Sequence, residues 1–481
     1  MFCRRHKKSC LATEKPPISA YKWCIKALFA VGGVGCLNRK LLLSTGLAAA
    51  LLPALSGETV SFTVAATADL HGRSRQFQAY IAPEIAKLYS AVPDSTIYAD
   101  IGDAVQGSLP LLLARGKGFL PQLSRAGCQL FVPGNHELDY GIAAFQELLE
   151  EFSGEILIGN LKTPGLSGKV KNFTIREFGG IKVAFIGSMP QYMQNLYSLE
   201  RGALRLKPEP LSLRKNIDSA RQAGAEVFIL LRHAGIYGSG CTLRELLEAA
   251  PELDLVIGAH THQSEAGLRH GDSWYVQPPA HGLGLAICKV TLDCKLRRVR
   301  QIESHIMEFP DGGEDEFALG KTLIPGSGSA EFAVELLRQK MPSDLALCTT
   351  EKNEALRQLT EKPQLTLNEC YQLFPYFDRI VTVQVSIGEL RRIADEVQQL
   401  ANERDLALLT GGFRLKNDPQ GRVDIQLPAD KKIYTLSLPL YIASGAGGKL
   451  PAVRRILARK IDSSRLKTAP CILEIIAESI K

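Results

Sequence analysis

Five short apolar runs between residues 60 and 262 each end in side chains able to bind a metal or move a proton, and this pattern constrains the fold most. "FTVAATADLHG" delivers Asp69 and His71, "IYADIGD" delivers Asp103, and "LFVPGNHELD" delivers Asn135, His136 and Asp139. "FILLRHAG" adds His233, and "VIGAHTH" adds His260 and His262. Runs this short, rich in β-branched residues and separated by amphipathic stretches, read as buried strands alternating with helices, an α/β pattern. In such folds the loops after strand C-termini gather the site. Each piece alone has an ordinary reading as a turn, a helix cap or a hydrogen-bonded core histidine. Together they engage five of the nine histidines, six if His281 of "PPAHG" is counted, and convergence on one site is the simplest account. An H-x-H at or just past a strand end can aim both imidazoles, His260 and His262, at one point, because a strand alternates its faces at every residue.

The same periodicities predict helices over "IAAFQELLEEF" and over "LSLRKNIDSARQAG", the latter closed by Gly224. Residues 310–330, "PDGGEDEFALGKTLIPGSGSA", are rich in Gly, Pro, Ser and acids and read as a linker between domains 57–309 and 331–481. A helix-like "AEFAVELLRQK", a strand-like "RIVTVQVS" and a helix-like "IGELRRIADEVQQL" follow, predicting a second, smaller α/β unit. With 481 residues, 45% hydrophobic and 22% charged, the chain has ordinary globular composition and room for such domains.

The formal charge of +7 invites a nucleic-acid reading, but residues 1–56 hold nine of the 57 Lys and Arg and one of the 50 acids. The remainder carries 48 basic and 49 acidic residues, which removes the support for a nucleic-acid polymer as partner. Residues 1–56 read as an export leader: Arg39 and Lys40 precede "LLLSTGLAAALLPALSG", with Ala54 and Ser56 placed for cleavage before Gly57. The expected location is periplasmic or extracellular, and the earlier apolar patch "CIKALFAVGGVGC" leaves room for a membrane anchor. Seven of the eleven cysteines lie beyond the leader without C-x-x-C spacing, which excludes a thiolate metal cluster and a dense disulfide framework. The sequence points to no stable protein partner.

Seven candidate ligands, Asp69, His71, Asp103, Asn135, His233, His260 and His262, exceed what one ion needs, and a carboxylate bridges two cations naturally, with Asp103 as the expected bridge. The oxygen and nitrogen donors suit two divalent ions, Zn, Mn, Fe or Mg. "ADLHG", "GDAVQGS", "GNHELDYG", "HAG" and "GAHTH", in this order, resemble the calcineurin-like metallophosphoesterases, and "GNHELDYG" followed by "GNL" resembles their 5′-nucleotidase branch. The resemblance implies a four-layer α-β-β-α sandwich followed by the smaller α/β domain. It implies one metal on Asp69, His71, Asp103 and His262 and another on Asp103, Asn135, His233 and His260. It also implies a His136–Asp139 dyad that stabilises the transition state or protonates the leaving alkoxide, and attack of a metal-activated water on phosphorus.

The second half is similar to the substrate-binding domain of that family over "FPYFDRIVTVQVSIGELRRIADE", "LLTGGFRL" and "KIYTLSLPLYIASGAGGK". Here "DLALCTTEKNEALR" stands where the family has "GGGIR", with Arg357 a distant substitute. "FPYFD" puts Asp378 where an amide is usual, and "GAGGK" puts Lys449 where an aromatic would stack on a base. Phe413 of "GGFR" is a candidate base contact or an inward core residue. The expected function is hydrolysis of a small phosphoester of 5′-nucleotide type. The alternatives are a hydrolase of a cyclic nucleotide, sugar nucleotide or sulfur-linked ester, and a metal-containing binding protein without turnover.

Overall fold

Alternation along β1 (Thr59–Thr67) sets the layers of the first half: Phe62, Val64 and Ala66 enter one core, whereas Ala65 between them enters another. The computed structural model describes residues 59–480 apart from short internal stretches, the longest being 192–203, 314–320 and 352–357. The expected leader, much of the expected linker and Arg357 therefore lie outside the described residues.

The strands that follow are β2 (Thr96–Asp100), β3 (Leu130–Phe131), β4 (Glu155–Leu157), β5 (Val170–Lys171), β6 (Phe173–Phe178) and β7 (Ile181–Ser188). Next come β8 (Val227–Arg232), β9 (Leu255–Ile257), β10 (Glu265–His270), β11 (Ser273–Gln277), β12 (Gly284–Asp293) and β13 (Arg298–Glu308). One sheet runs β13-β12-β1-β2-β3-β4-β5, parallel from β1 to β5. The other runs β10-β11-β9-β8-β7-β6, with β7, β8, β9 and β11 parallel. The sheets face each other across Phe62 and Val64 of β1, Val183 and Phe185 of β7, and Ile229 and Leu231 of β8.

Helices cover both outer faces. Ala82–Ala91 and Ile142–Glu151 bury Ile85, Phe145, Leu148 and Leu149 against Tyr98 and Phe131 of the first sheet. Glu209–Gln222 and Leu243–Ala249 bury Leu213, Ile217 and Leu246 against Phe228 and Leu230 of the second. The expected α-β-β-α sandwich is thus present. The expected helices are present too, and Gly224 follows its helix at φ 93°, a conformation glycine adopts freely.

In the second half, β14 (Leu345–Glu351), β15 (Ile380–Ser386), β16 (Leu406–Gly411), β17 (Arg414–Asn417), β18 (Val423–Gln426) and β19 (Ile433–Pro439) follow. They form a four-stranded sheet, β15-β19-β14-β16, and a separate β17-β18 pair. Leu345 and Leu347 of β14 pack toward the helix Ile387–Arg404, through Leu390, Ile393 and Val397. Ala346 and Cys348 face the opposite side, toward the helices Ala330–Lys340 and Ile472–Ser479. That side continues into the helix layer of the first half, so a single apolar core runs from Tyr98 and Phe145 to Leu337, Phe374 and Ile475. Arg115 ties the halves by an ion pair with Glu474 at 2.9 Å, and Gln106 Nε2 donates to the Pro375 carbonyl at 2.8 Å. All seven cysteines beyond the leader are unpaired, and among the described residues no helix is long and apolar enough to cross a membrane.

Candidate metal centre

Every predicted ligand sits just past the C-terminal end of a parallel strand. Asp69 and His71 follow β1, Asp103 follows β2, Asn135 follows β3, His233 follows β8, and His260 and His262 follow β9. Because β1 to β3 belong to one sheet and β8 and β9 to the other, the site spans the top of the sandwich.

The ligand atoms of Asp69, His71 and His262 lie within 4.8 Å of one another, as do those of Asp103, His233 and His260. The groups adjoin: Asp69 Oδ1 is 3.8 Å from His262 Nε2 and 4.0 Å from His233 Nε2. His260 and His262 therefore fall in different, adjoining groups. Both lie beyond β9 with φ of 75° and 56°, where the alternation of an extended strand no longer applies. Asp69, His71, Asp103 and His281 share this left-handed backbone, at 52°, 46°, 55° and 60°. At roughly 1–2 kcal/mol per non-glycine residue, strain of this kind gathers at functional sites.

The donors fit cations. His71 Nδ1 donates to the Gln106 carbonyl at 3.1 Å and His233 Nδ1 to the Ile101 carbonyl, tautomers that turn each Nε2 lone pair inward. His71 Nε2 and His262 Nε2 stand 2.9 Å apart. His233 Nε2 is 3.0 Å from Asp103 Oδ2 yet buried without a well-directed hydrogen bond. A buried ring nitrogen beside a carboxylate but without a well-directed hydrogen bond, as at His233, is what a cation satisfies.

Electrostatics separates the carboxylates. Burial pushes Asp69 up to about 7, with the Asp103 charge adding to it and His233 opposing. Burial would also raise Asp103, but His233, His136 and His71 around it win and hold it well below the usual carboxylate range. Burial lowers His71 to about 3 and His260 to about 4, so both favour the neutral form that binds metals. His136 is the opposite case. Burial disfavours its charge, but Asp139 and Asp103 outweigh this and raise it to about 10. Its Nδ1 is 2.7 Å from Asp139 Oδ2, and its backbone N–H donates to Asp103 Oδ1 at 2.8 Å.

Asn135, His136 and Asp139 line a cavity of about 490 Å³ whose remaining wall comes largely from the second half. Of the predicted substrate contacts, Asp378 lines it, but its carboxylate accepts the Tyr441 N–H at 3.0 Å, and burial raises it to about 7. Phe413 does not line it: the side chain is 5% exposed, packed with Leu345, Val383 and Leu436, so its apolar surface went to the core. Lys449 is exposed and also outside the lining, because Gly445 and Gly447 turn the chain just before it.

Sequence reasoning passed over Glu137. Its buried carboxylate accepts the N–H groups of Asp103, Ala104 and Gly134 at 2.9, 2.8 and 2.6 Å, joining the loops after β2 and β3. Its signal was an acid inside "GNHE", which reads as a helix cap. Tyr376 was passed over too; its ring lies nearly parallel to His136 at 6.0 Å. His281 does reach the site, with its ring 5.2 Å from those of His71 and His262 and its backbone N–H donating to the Asp69 carbonyl at 2.7 Å.

Residues 62–264 match the family model of the calcineurin-like phosphoesterases. Among curated proteins, a snake venom 5′-nucleotidase of Gloydius brevicauda is 26% identical over 34% of this chain and 28% of its own length. A probable 5′-nucleotidase of Treponema pallidum is 27% identical over 38% of this chain and 31% of its own. The chain thus matches less than a third of the length of these relatives. The crystal structure of a 5′-nucleotidase precursor from Thermus thermophilus superposes with a TM-score of 0.59 at 16% identity, covering 88% of this chain and 96% of that one, a likeness of fold.

Proposed function

Since the chain belongs to the calcineurin-like phosphoesterases through residues 62–264, we propose that it is an exported hydrolase of small phosphoesters of 5′-nucleotide type working with two divalent cations. Residues 57–309 carry the hydrolytic site, and 331–481 supply most of the substrate cavity. The observation that carries this reading is the pair of adjoining three-donor groups beside a His–Asp dyad that faces a cavity.

Asp69, His71 and His262 would hold one ion, and His233, His260 and Asn135 the other, with Asp103 between them. Bound there, the cations would lower the pKa of an attacking water and neutralise charge developing on the phosphoryl oxygens. The side chains do the rest. Asp139 fixes the His136 tautomer, so that Nε2–H points away from the dyad, able to protonate the departing alkoxide. Glu137 holds the two loops that carry Asp103 and Asn135 in register. Tyr376 and the second-half wall exclude water and orient the organic part of the substrate.

The test is the full chain without its leader, reconstituted with Zn or Mn. It is expected to hold about two ions and to hydrolyse 5′-nucleotides. His136→Ala is expected to lower kcat by roughly a hundredfold or more with both ions retained. One ion or none after reconstitution, or a His136→Ala variant as active as the parent, would overturn the reading.

A further inference from the structure

The cavity beside the metal centre has a second charged feature that hydrolysis does not use. Arg404 closes the last turn of the helix Ile387–Arg404 and lines the cavity with His136 and Asp139. Its side chain is exposed and forms no ion pair or hydrogen bond among the described residues. The other guanidinium of the lining, Arg379, is 3% exposed and donates to the Leu466 carbonyl at 3.3 Å. Arg404 is thus the one in the lining that can reach a ligand.

Its surroundings leave that charge uncompensated. Partial burial and the Arg404 charge both push the Lys449 ammonium down, which places two cations near one another at this edge of the second half. Asp378, the second-half carboxylate in the lining, is engaged by the Tyr441 N–H. A helix C-terminus favours a cation, which accounts for an arginine here. It does not account for a guanidinium without an ion pair in the cavity wall, where the second-half carboxylate Asp378 is already engaged by the Tyr441 N–H, an arrangement that an anionic ligand relieves.

We propose that Arg404 binds a second phosphoryl group of the substrate, distant from the one that is hydrolysed. The site then selects organic phosphates with two separated phosphoryl groups over simple monoesters. This rests on the reading of the metal centre as a phosphoester hydrolase. A guanidinium pairs with a phosphoryl group through two parallel N–H donors, which lysine cannot reproduce. A cavity of about 490 Å³ is of the size that holds a nucleotide-sized ligand.

The experiment compares adenosine 3′,5′-bisphosphate with adenosine 5′-monophosphate on the metal-reconstituted chain, removal of the 5′ phosphate being followed in both. The parent is expected to prefer the bisphosphate, and Arg404→Gln to reduce the ratio of kcat/KM values about tenfold, chiefly through KM. Arg404→Lys is expected to recover part of the ratio. An arginine that only serves the helix terminus would lower the melting temperature and leave the ratio where it was, which would overturn the proposal, as would an equal loss for both substrates. Calorimetric binding of the bisphosphate reads the same contact without turnover. If no phosphoester is hydrolysed, the functional reading fails, whereas the Arg404 contact fails only if Arg404→Gln binds the bisphosphate as tightly as the parent.

Discussion

At Gly134 the space for a side chain is already taken. A Cβ there would stand 2.3 Å from Asp103 Oδ1 and 2.4 Å from His233 Cε1, two buried groups on loops from different sheets. Neither can retreat cheaply, since Asp103 accepts the His136 N–H and His233 is anchored on the Ile101 carbonyl. Gly134→Ala is therefore expected to displace both ligands. Activity should drop by roughly a hundredfold, the scale of an ångström-level misplacement, with at least one ion lost on dialysis. An alanine variant that keeps two ions and full activity would show that this approach is slack. At this scale much was legible: the residues that end each apolar run are the ones brought together, because a strand end fixes where its next residues go. Glu137 and Arg404 were not. Glu137 acts through backbone N–H groups of residues 33 and 34 positions away in sequence, and no spacing rule encodes such a partner.

Elements were legible where one periodicity governs a whole segment. Ile142–Glu151 and Ile387–Arg404 present apolar faces at helical spacing, and β1 and β14 divide alternate residues between two cores. The H-x-H after β9 begins where strand geometry stops, so alternation does not set the directions of its two rings. A test at this scale concerns Asp254, which precedes β9 and accepts the Phe228 N–H of β8 at 2.9 Å. Burial raises its carboxyl to about 6, above an unfolded value near 3.9. The folded chain then holds this proton more tightly than the unfolded chain. The contribution to stability is full below about pH 4, is lost as pH rises to about 6, and stays lost above. Asp254→Asn keeps a carbonyl for the Phe228 N–H and removes the titration. Its melting temperature relative to the parent is therefore expected to rise between pH 4 and pH 7. A pH-independent difference would place the parent carboxyl at its ordinary value.

The whole molecule is less divided than its composition suggests. The segment 310–330 reads as a linker, yet the helices beyond it, Ala330–Lys340 and Ile472–Ser479, complete the core begun by Tyr98 and Phe145. Sequence patterning gives each helix an apolar face but not the partner of that face, so the shared core could not be read in advance. Arg115 reinforces it, pairing with Glu474 while its guanidinium lies 5.2 Å from the Phe377 ring. Two halves that share a core unfold together unless either core suffices alone. Leu337 tests this, since it is fully buried on the second-half side of the shared core. Leu337→Ala is expected to cost about 2–5 kcal/mol through lost transfer energy and the cavity left behind. If the halves are one cooperative unit, calorimetry of the reconstituted protein gives a single transition, which the substitution moves to lower temperature, and the ions leave at that same temperature although Leu337 touches no ligand. Two transitions, with only the upper or lower one shifted and metal release unmoved, would instead make the second half an independently folding attachment. The cavity between His136 and Arg404 would then depend on a docking equilibrium rather than on the fold itself.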